Sequence, residues 1–422
     1  MSVPAKSCQP AVDVLMTAYN SAPTIRESLL SILNQTYADL RVIVVDDGSS
    51  DETAAVLVGL AAQDSRIKVV SQVNSGIVAA ANAGLAHCTA DIVARMDSDD
   101  IAFPERIARQ VEFLAANSDC VAVSCLVHHI DAHGRRLGSV AGRMPHAGPD
   151  PSSIPSREPY IMHPFVMMRR AALVRIGGYR HVDFAEDTDL YWRLREVGRL
   201  AVMEEFFGEY RVHESSVSSR SIVNGRISAM NSQLSAISAQ RRRAALADLE
   251  FGPDDVARWR RCERFSDMLQ AAGVRLTDSE RHYLALAAAA KLLELNSYRP
   301  YELERSDCLA IRTILREYRA QIVQQLPDVR RHWGIACARL LRKGYLRRAA
   351  SLYDWCILTQ ALKSFCIQVA ARVLPLSARR MYRQARARAS AGKLGLGAVP
   401  DAWHTYPGTA QELAYPHLDL SE

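Results

Sequence analysis

Apolar positions in the first 140 residues alternate between two periods. Short runs rich in β-branched residues, Val12–Thr17, Leu40–Val45, Ile67–Ser71, Asp91–Ala94 and Val121–Val127, have the length of buried strands. Between them, Ala22–Asn34, Ser50–Ala62, Gly76–His87 and Arg106–Asn117 carry apolar residues at helical spacing. Strand–helix alternation of this kind predicts an α/β domain, with a mostly parallel sheet covered by helices on both faces. From about Asn224 the strand signal fades. Segments rich in Ala, Leu and Arg follow: Ile227–Leu249, Asp254–Ala272, Asp278–Leu295, Asp307–Gln325, Arg330–Lys343, Leu346–Leu362 and Lys363–Val373. The expected organisation is an α/β domain over 1–223, a helical domain over 224–391 and a mobile tail over 392–422. Ala141–Pro159, with five prolines, reads as a long loop.

Composition narrows the class. The chain has 422 residues, 49% hydrophobic and 23% charged, enough to bury a sizeable core. Its nine cysteines are scattered, with no C-x-x-C pair, so neither a zinc site nor a disulfide framework is indicated. Met1–Pro10 has no apolar run, and no stretch of about 18 uncharged apolar residues occurs. A cytoplasmic protein is expected. The net charge of +6 is mild, but between Asp354 and Asp401 there is no acidic residue. Residues 351–393 combine cations with apolar side chains, which fits either a peripheral contact with the inner face of a membrane or a solvated helical bundle. No nucleic-acid motif accompanies the charge.

The candidate chemistry lies where predicted strands end, the place where open α/β sheets bind ligands. Leu40–Val45 runs into Asp46-Asp47-Gly48-Ser49, and Asp91–Met96 into Asp97-Ser98-Asp99-Asp100. Carboxylates two apart repel unless a cation lies between them, and such hard oxygen ligands suit Mg²⁺ or Mn²⁺ holding a diphosphate. Taken alone, an Asp-x-Asp of this kind reads first as a solvated turn before a helix, and only its company with the other motifs favours the ligand. His128, His129 and His133 fit a hairpin turn better than a metal cluster.

Together the motifs resemble family 2 glycosyltransferases of the GT-A fold. The resemblance rests on Val12–Asn20, Ser31–Tyr37, Val42–Thr53 and Met96–Ile101, then on Glu186–Leu190 and Tyr210-Arg211-Val212-His213, in the family's order over roughly residues 10–220. It implies an inverting transferase that moves a sugar from a nucleotide-diphosphate donor to a glycan or lipid-linked acceptor, as in surface polysaccharide synthesis. By resemblance, Asp47 meets the nucleobase and Asp46 the ribose, with Thr17 and Tyr19 lining the pocket. A carboxylate only accepts hydrogen bonds, which favours UDP, dTDP or GDP donors, UDP foremost. Asp99 is the expected metal ligand, Asp97 contacts the ribose or the ion's water, and His213 is a further ligand. Asp187 is the expected base, with Glu186 and Asp189 in support. Its place at a helix start stabilises the carboxylate and so weakens it as a base, which is tolerable if the proton leaves late. The sequence departs from the family at Ala81, where an arginine is common; Arg66, Lys68 or Arg95 are candidates to replace it. The alternatives are a sugar-nucleotidyltransferase, which needs a Gly-rich basic loop not found at Ala18–Pro23, and a non-catalytic scaffold.

Overall fold

Where a strand is apolar at consecutive positions, both of its faces must be covered, and the computed structural model shows this arrangement. It describes residues 11–144, 147–212 and 221–373. The chain forms two compact units: Met1–Ser216 with Leu234–Arg258, and Val217–Gln233 with Trp259–Glu422. Residues 234–258 therefore group with the α/β unit, beyond the boundary drawn at 223. Ion pairs tie them there, Arg180 to Asp248 and Arg242 to Glu196.

In the first unit β1 (Val12–Ala18), α1 (Ile25–Leu33), β2 (Leu40–Asp46), α2 (Thr53–Ala61), β3 (Ile67–Ser71), α3 (Ile77–His87) and β4 (Ile92–Asp97) alternate as expected. They give four parallel strands in the order β3-β2-β1-β4. Then follow β5 (Ile101–Ala102), α4 (Arg106–Ala116), β6 (Cys120–Ile130), β7 (Arg136–Ala141), β8 (Met167–Arg169), α5 (Arg170–Ile176), α6 (Glu186–Leu194) and β9 (Arg199–Arg211). These extend the sheet to β8-β6-β9-β5, with β7 beside β6. Here only β6 and β9 run parallel; β8, β5 and β7 pair antiparallel. The sheet is thus parallel in its first half and mixed in its second. The β6–β7 hairpin turns at Asp131–Gly134, so His128, His129 and His133 belong to a hairpin: His128 stacks on Phe206 and His129 bonds Ser139.

Strand periodicity divides the core in two. Val12, Val14 and Met16 face α1, α2 and α4 through Ile25, Leu29, Leu57 and Ile107. Leu15, Ile43, Val45 and Val93 face α3, α5 and α6 through Val78, Leu173, Leu190 and Leu194. Each such buried side chain contributes about 1.5–3 kcal/mol. The register places Ala18 opposite Asp46 and Thr17 opposite Asp97, so the carboxyl ends of β1, β2 and β4 coincide.

The second unit is helical. It takes Ile222–Gln233 from α7 (Ile222–Arg243), whose later residues group with the first unit. After α8 (Asp254–Arg260) come α9 (Phe265–Gly273), α10 (Asp278–Tyr298), α11 (Arg305–Glu317), α12 (Arg319–Gln325), α13 (Pro327–Arg342), α14 (Leu346–Leu352) and α15 (Leu358–Val373). Three segments read as single helices are broken. Leu346–Leu362, for example, is interrupted where Asp354, in extended conformation, caps a 3-10 turn at Trp355–Ile357. A capping box at Thr277 and Glu280 starts α10. Among the described residues no helix is long and apolar enough to cross a membrane. The tail over 392–422 lies outside the described residues.

Candidate active site

The loop after β2 is built around one carboxylate. Asp47, 5% exposed, accepts hydrogen bonds from Gln72 Nε2 (2.7 Å), Ser75 N (2.9 Å) and Gly76 N (2.9 Å). Three of its roughly four acceptor positions are therefore taken within the protein. Gly48 makes this closure feasible: at φ +71° a Cβ would lie 2.6 Å from Asn74 N. Asp46 is buried and accepts from Ser49 N at 3.1 Å. Thr17 is buried at the end of β1, whereas Tyr19 stands half exposed.

The loop after β4 holds the acidic cluster. Ligand atoms of Asp97, Asp99 and Asp100 all lie within 4.8 Å of one another. Asp100 is wholly buried; its Oδ1 accepts from Arg211 N at 2.8 Å and its Oδ2 has no hydrogen-bond partner among the described residues. Burial, then the Asp99 and Asp97 charges, push its carboxyl well above the usual range. Asp97 is raised for the same reasons, burial first, with Asp99 and Asp187 adding to it against Arg95. Asp97 Oδ1 lies 3.2 Å from Arg95 Nη2, an ion pair without the geometry of a hydrogen bond. Three like charges so close, with buried oxygens left over, fit a divalent cation.

Arg95 and Arg211 hold this loop from two sides. Arg95, 2% exposed, also donates to Thr17 Oγ1 at 3.1 Å. Arg211, 3% exposed, donates through Nε to Asp99 O (2.7 Å), through Nη1 to the carbonyls of Asp131 and Ala132, and through Nη2 to Glu27 (2.7 Å). Ser98 is fixed to Ser21 and Thr24 of the loop after β1.

The third acidic group opens α6. Asp187 Oδ1 accepts from its neighbour Thr188 N at 2.7 Å. Glu186 Oε2 is buried without a hydrogen-bond partner among the described residues. Burial, then the Asp187 charge, raise the Glu186 carboxyl to about 8, and Arg95 opposes them. Asp187 thus acts electrostatically on both Glu186 and Asp97, and Arg95 on the same two, so the start of α6 lies within electrostatic reach of the loop after β4. Beneath them His163 sits between Tyr191 OH (2.7 Å) and Tyr179 OH (3.2 Å), held neutral by burial and the Arg95 charge.

The carboxyl ends of β1, β2 and β4 therefore bring together Thr17, Asp46, Asp47, Asp97 and Asp99, and Glu186 and Asp187 at the start of α6 interact electrostatically with Asp97 and Arg95. Asp189 does not join them. It is wholly buried and ion-paired with Arg180 and Arg193, a structural role that corrects the supporting part expected of it. Ala81 packs into the core, Arg66 pairs with Asp64 and Lys68 bonds His87, whereas Arg95 alone of the three candidates reaches the acidic loops. Trp192 is buried under Arg243, a packing residue. His213 lies outside the described residues. Asp100, Arg95 and Arg211 complete the site: the sequence offered Arg95 as one of three replacements for the arginine missing at Ala81, Asp100 as the last residue of the acidic cluster, and Arg211 only as part of Tyr210-Arg211-Val212-His213.

Glu186 carries a stability signature. Its folded pKa lies above that of an unfolded glutamate, so its contribution is complete at low pH and is lost as pH rises from about 4.5 towards about 8. In chelator-treated buffer, the melting temperature of wild type should fall over that window relative to Glu186→Gln, with the two profiles parallel below it. Parallel profiles throughout would contradict the raised value.

An α/β domain of this topology, with acidic loops after its first parallel strands, is that of the GT-A class. Residues 13–177 match the family described as Glycosyl transferase family 2. EpsE of Bacillus subtilis (strain 168) is 36% identical over 194 residues, 45% of this chain and 68% of that protein. The amylovoran biosynthesis glycosyltransferase AmsE of Erwinia amylovora is 31% identical over 188 residues, 44% of this chain and 70% of that protein. A solved mannosyltransferase from Pyrobaculum calidifontis, in complex with GDP-Man and Mn²⁺, aligns over 87% of both chains at 20% identity and TM-score 0.45. The chain belongs to glycosyltransferase family 2 and is a glycosyltransferase.

Proposed function

We propose that the chain transfers one sugar, with inversion at the anomeric carbon, from a nucleotide-diphosphate donor to a glycan or lipid-linked acceptor in bacterial surface polysaccharide synthesis. A UDP-sugar is the foremost donor. The observation that carries the reading is the Asp97–Asp99–Asp100 cluster, with Arg95 ion-paired to Asp97 and the charges of Asp187 and Arg95 acting on both Asp97 and Glu186. The name of the AmsE relative supports polysaccharide synthesis.

Asp47 has about one acceptor position left after Gln72, Ser75 and Gly76, and one suffices for a ring N–H of uracil. Asp46, Thr17 and Tyr19 flank that position on the ribose side. Asp97 and Asp99, with the spare buried oxygen of Asp100, would hold Mn²⁺ or Mg²⁺, and His213 is proposed as a further ligand. Such an ion, when bound, supplies Lewis-acid stabilisation of the charge growing on the departing diphosphate. Arg95 contributes a fixed positive charge where the family's common arginine is replaced by Ala81. Asp187 takes the proton of the acceptor hydroxyl as it attacks the anomeric carbon. Glu186, protonated near neutral pH, offers a hydrogen bond to a sugar or acceptor oxygen and spares Asp187 a second negative neighbour.

A donor screen by nucleotide release tests this. Purified full-length chain should release UDP, dTDP or GDP from one matching sugar donor with Mn²⁺ or Mg²⁺, and lose that activity on chelation. No release from any donor favours the scaffold reading. Anomeric NMR of the product decides inversion, and retention refutes it.

A further inference from the structure

The helical unit contains a cavity of about 730 Å³ between α11, α12, α13 and the 354–356 turn. Its cations are Arg316, Arg319 and Arg330. One short turn holds all three by their Nε edges. Arg316 Nε donates to Asp354 Oδ2 at 2.8 Å, Arg319 Nε lies 3.5 Å from Asp354 Oδ1, and Arg330 Nε donates to Cys356 O at 2.9 Å. Arg330 Nη2 also reaches Thr359 Oγ1 at 3.3 Å. Asp354 is 2% exposed, so a buried carboxylate holds by their Nε atoms two guanidinium groups that line the cavity. Among the described residues the Nη groups of Arg316 and Arg319, and Nη1 of Arg330, have no hydrogen-bond partner. Glu317 is the one carboxylate among the lining residues.

Several pre-set guanidinium N–H groups around one space match the oxygens of a phosphate. The rim adds a second property. Trp355 is 71% exposed, with its edge on Tyr353, and Val323 is 41% exposed. On α15, Leu362 (56% exposed) and Lys363 follow Thr359 by one helical turn. No acidic residue occurs between Asp354 and Asp401. A free anion would use the arginines and leave Trp355 and Leu362 in water. An amphiphile would cover both, as tryptophan and cations do at a membrane–water boundary.

We infer that this cavity binds the phosphate headgroup of an anionic lipid, with Arg316, Arg319 and Arg330 on the phosphate and Trp355 at the acyl boundary. The inference draws on none of the candidate active-site residues and is read by binding, so it stands or falls separately from the transfer reaction.

The test is co-sedimentation of the full-length chain with phosphatidylcholine vesicles, with and without phosphatidylglycerol, beside calorimetric titration with inorganic phosphate. Wild type should bind the phosphatidylglycerol vesicles and not the others. Each cation at an anionic surface is worth roughly five-fold, so Arg316→Gln/Arg330→Gln should weaken binding about twenty-fold or more. Trp355→Ser, an exposed change that leaves the arginine cradle intact, should weaken vesicle binding and leave phosphate binding unchanged. The cations after Val373 are the same in every variant, so differences report the cavity. Vesicle binding that is absent in wild type, or equal in wild type and both variants, overturns the inference. Phosphate binding with vesicle binding insensitive to Trp355→Ser also overturns it, in favour of a free-anion site.

Discussion

Asp187→Asn is expected to lower the rate of sugar transfer by about 10²–10⁴-fold while leaving donor binding within a few fold. The substitution keeps the size of the side chain and one oxygen to accept from Thr188 N, as Asp187 Oδ1 does now at 2.7 Å. It removes the capacity to take a proton and, with it, the negative charge felt by Glu186 and Asp97. Asp187 opens α6 beside Glu186, whose raised pKa of about 8 reflects burial and the Asp187 charge. Neutralising Asp187 should therefore also let Glu186 ionise at lower pH, and the activity that remains should show a shifted pH profile. The contrast is Asp99→Ala, which removes a proposed metal ligand and should abolish donor turnover altogether, transfer and slow hydrolysis alike. Steady-state nucleotide release, donor titration by calorimetry and product analysis separate the two. A loss confined to KM for the donor would move Asp187 from proton transfer to donor binding.

The apolar runs made the first half of the sheet legible. Each of β1 to β4 is a short run with no competing pattern, and each ends at a polar or acidic cluster that cannot continue into a core. The second half was less so. Met167–Arg169 is too short to stand out, yet it joins β4 to β6 antiparallel and turns a parallel sheet into a mixed one. In the helical unit local apolar spacing found the segments, but not the breaks that a side-chain cap such as Asp354 imposes.

The acidic half of the site was readable from the set rather than from any one member: each cluster alone reads as a turn, and it is their recurrence at successive strand ends that points to a ligand. Its supports were not. Arg211 meets Asp100 across 111 residues and Arg95 meets Thr17 across 78, and no local pattern marks a buried arginine whose partners are so distant. Asp189 shows the converse. Beside Asp187 it looks catalytic, and only the approach of Arg180 and Arg193 reveals an internal ion pair. The Tyr179–His163–Tyr191 set likewise unites a 3-10 turn, a loop and α6, which the sequence lists apart.

Arg211→Met should be the most damaging change outside the acidic residues themselves, because one side chain fastens two loops to a helix. Its guanidinium bonds Asp99 O after β4, the carbonyls of Asp131 and Ala132 in the β6–β7 turn, and Glu27 on α1. Methionine keeps the volume and leaves those acceptors without their donor. Asp100 would keep the Arg211 backbone N–H but lose the stabilising charge of its guanidinium, in a cluster already repelled by Asp97 and Asp99. Breaking a buried charged network by removing one partner costs about 3–5 kcal/mol. In a domain of 150–250 residues that lowers the melting temperature by roughly 6–20 °C. Nucleotide release should fall with it, even well below the melting temperature, since the carbonyl of Asp99 is no longer anchored. Glu27→Gln is the control: Glu27 is 56% exposed, so its ion pair is worth at most about 1 kcal/mol and activity should persist. Calorimetric melting and nucleotide release on both variants decide the matter. If Arg211→Met melts like Glu27→Gln, Arg211 is not the residue that holds the acidic loop in place.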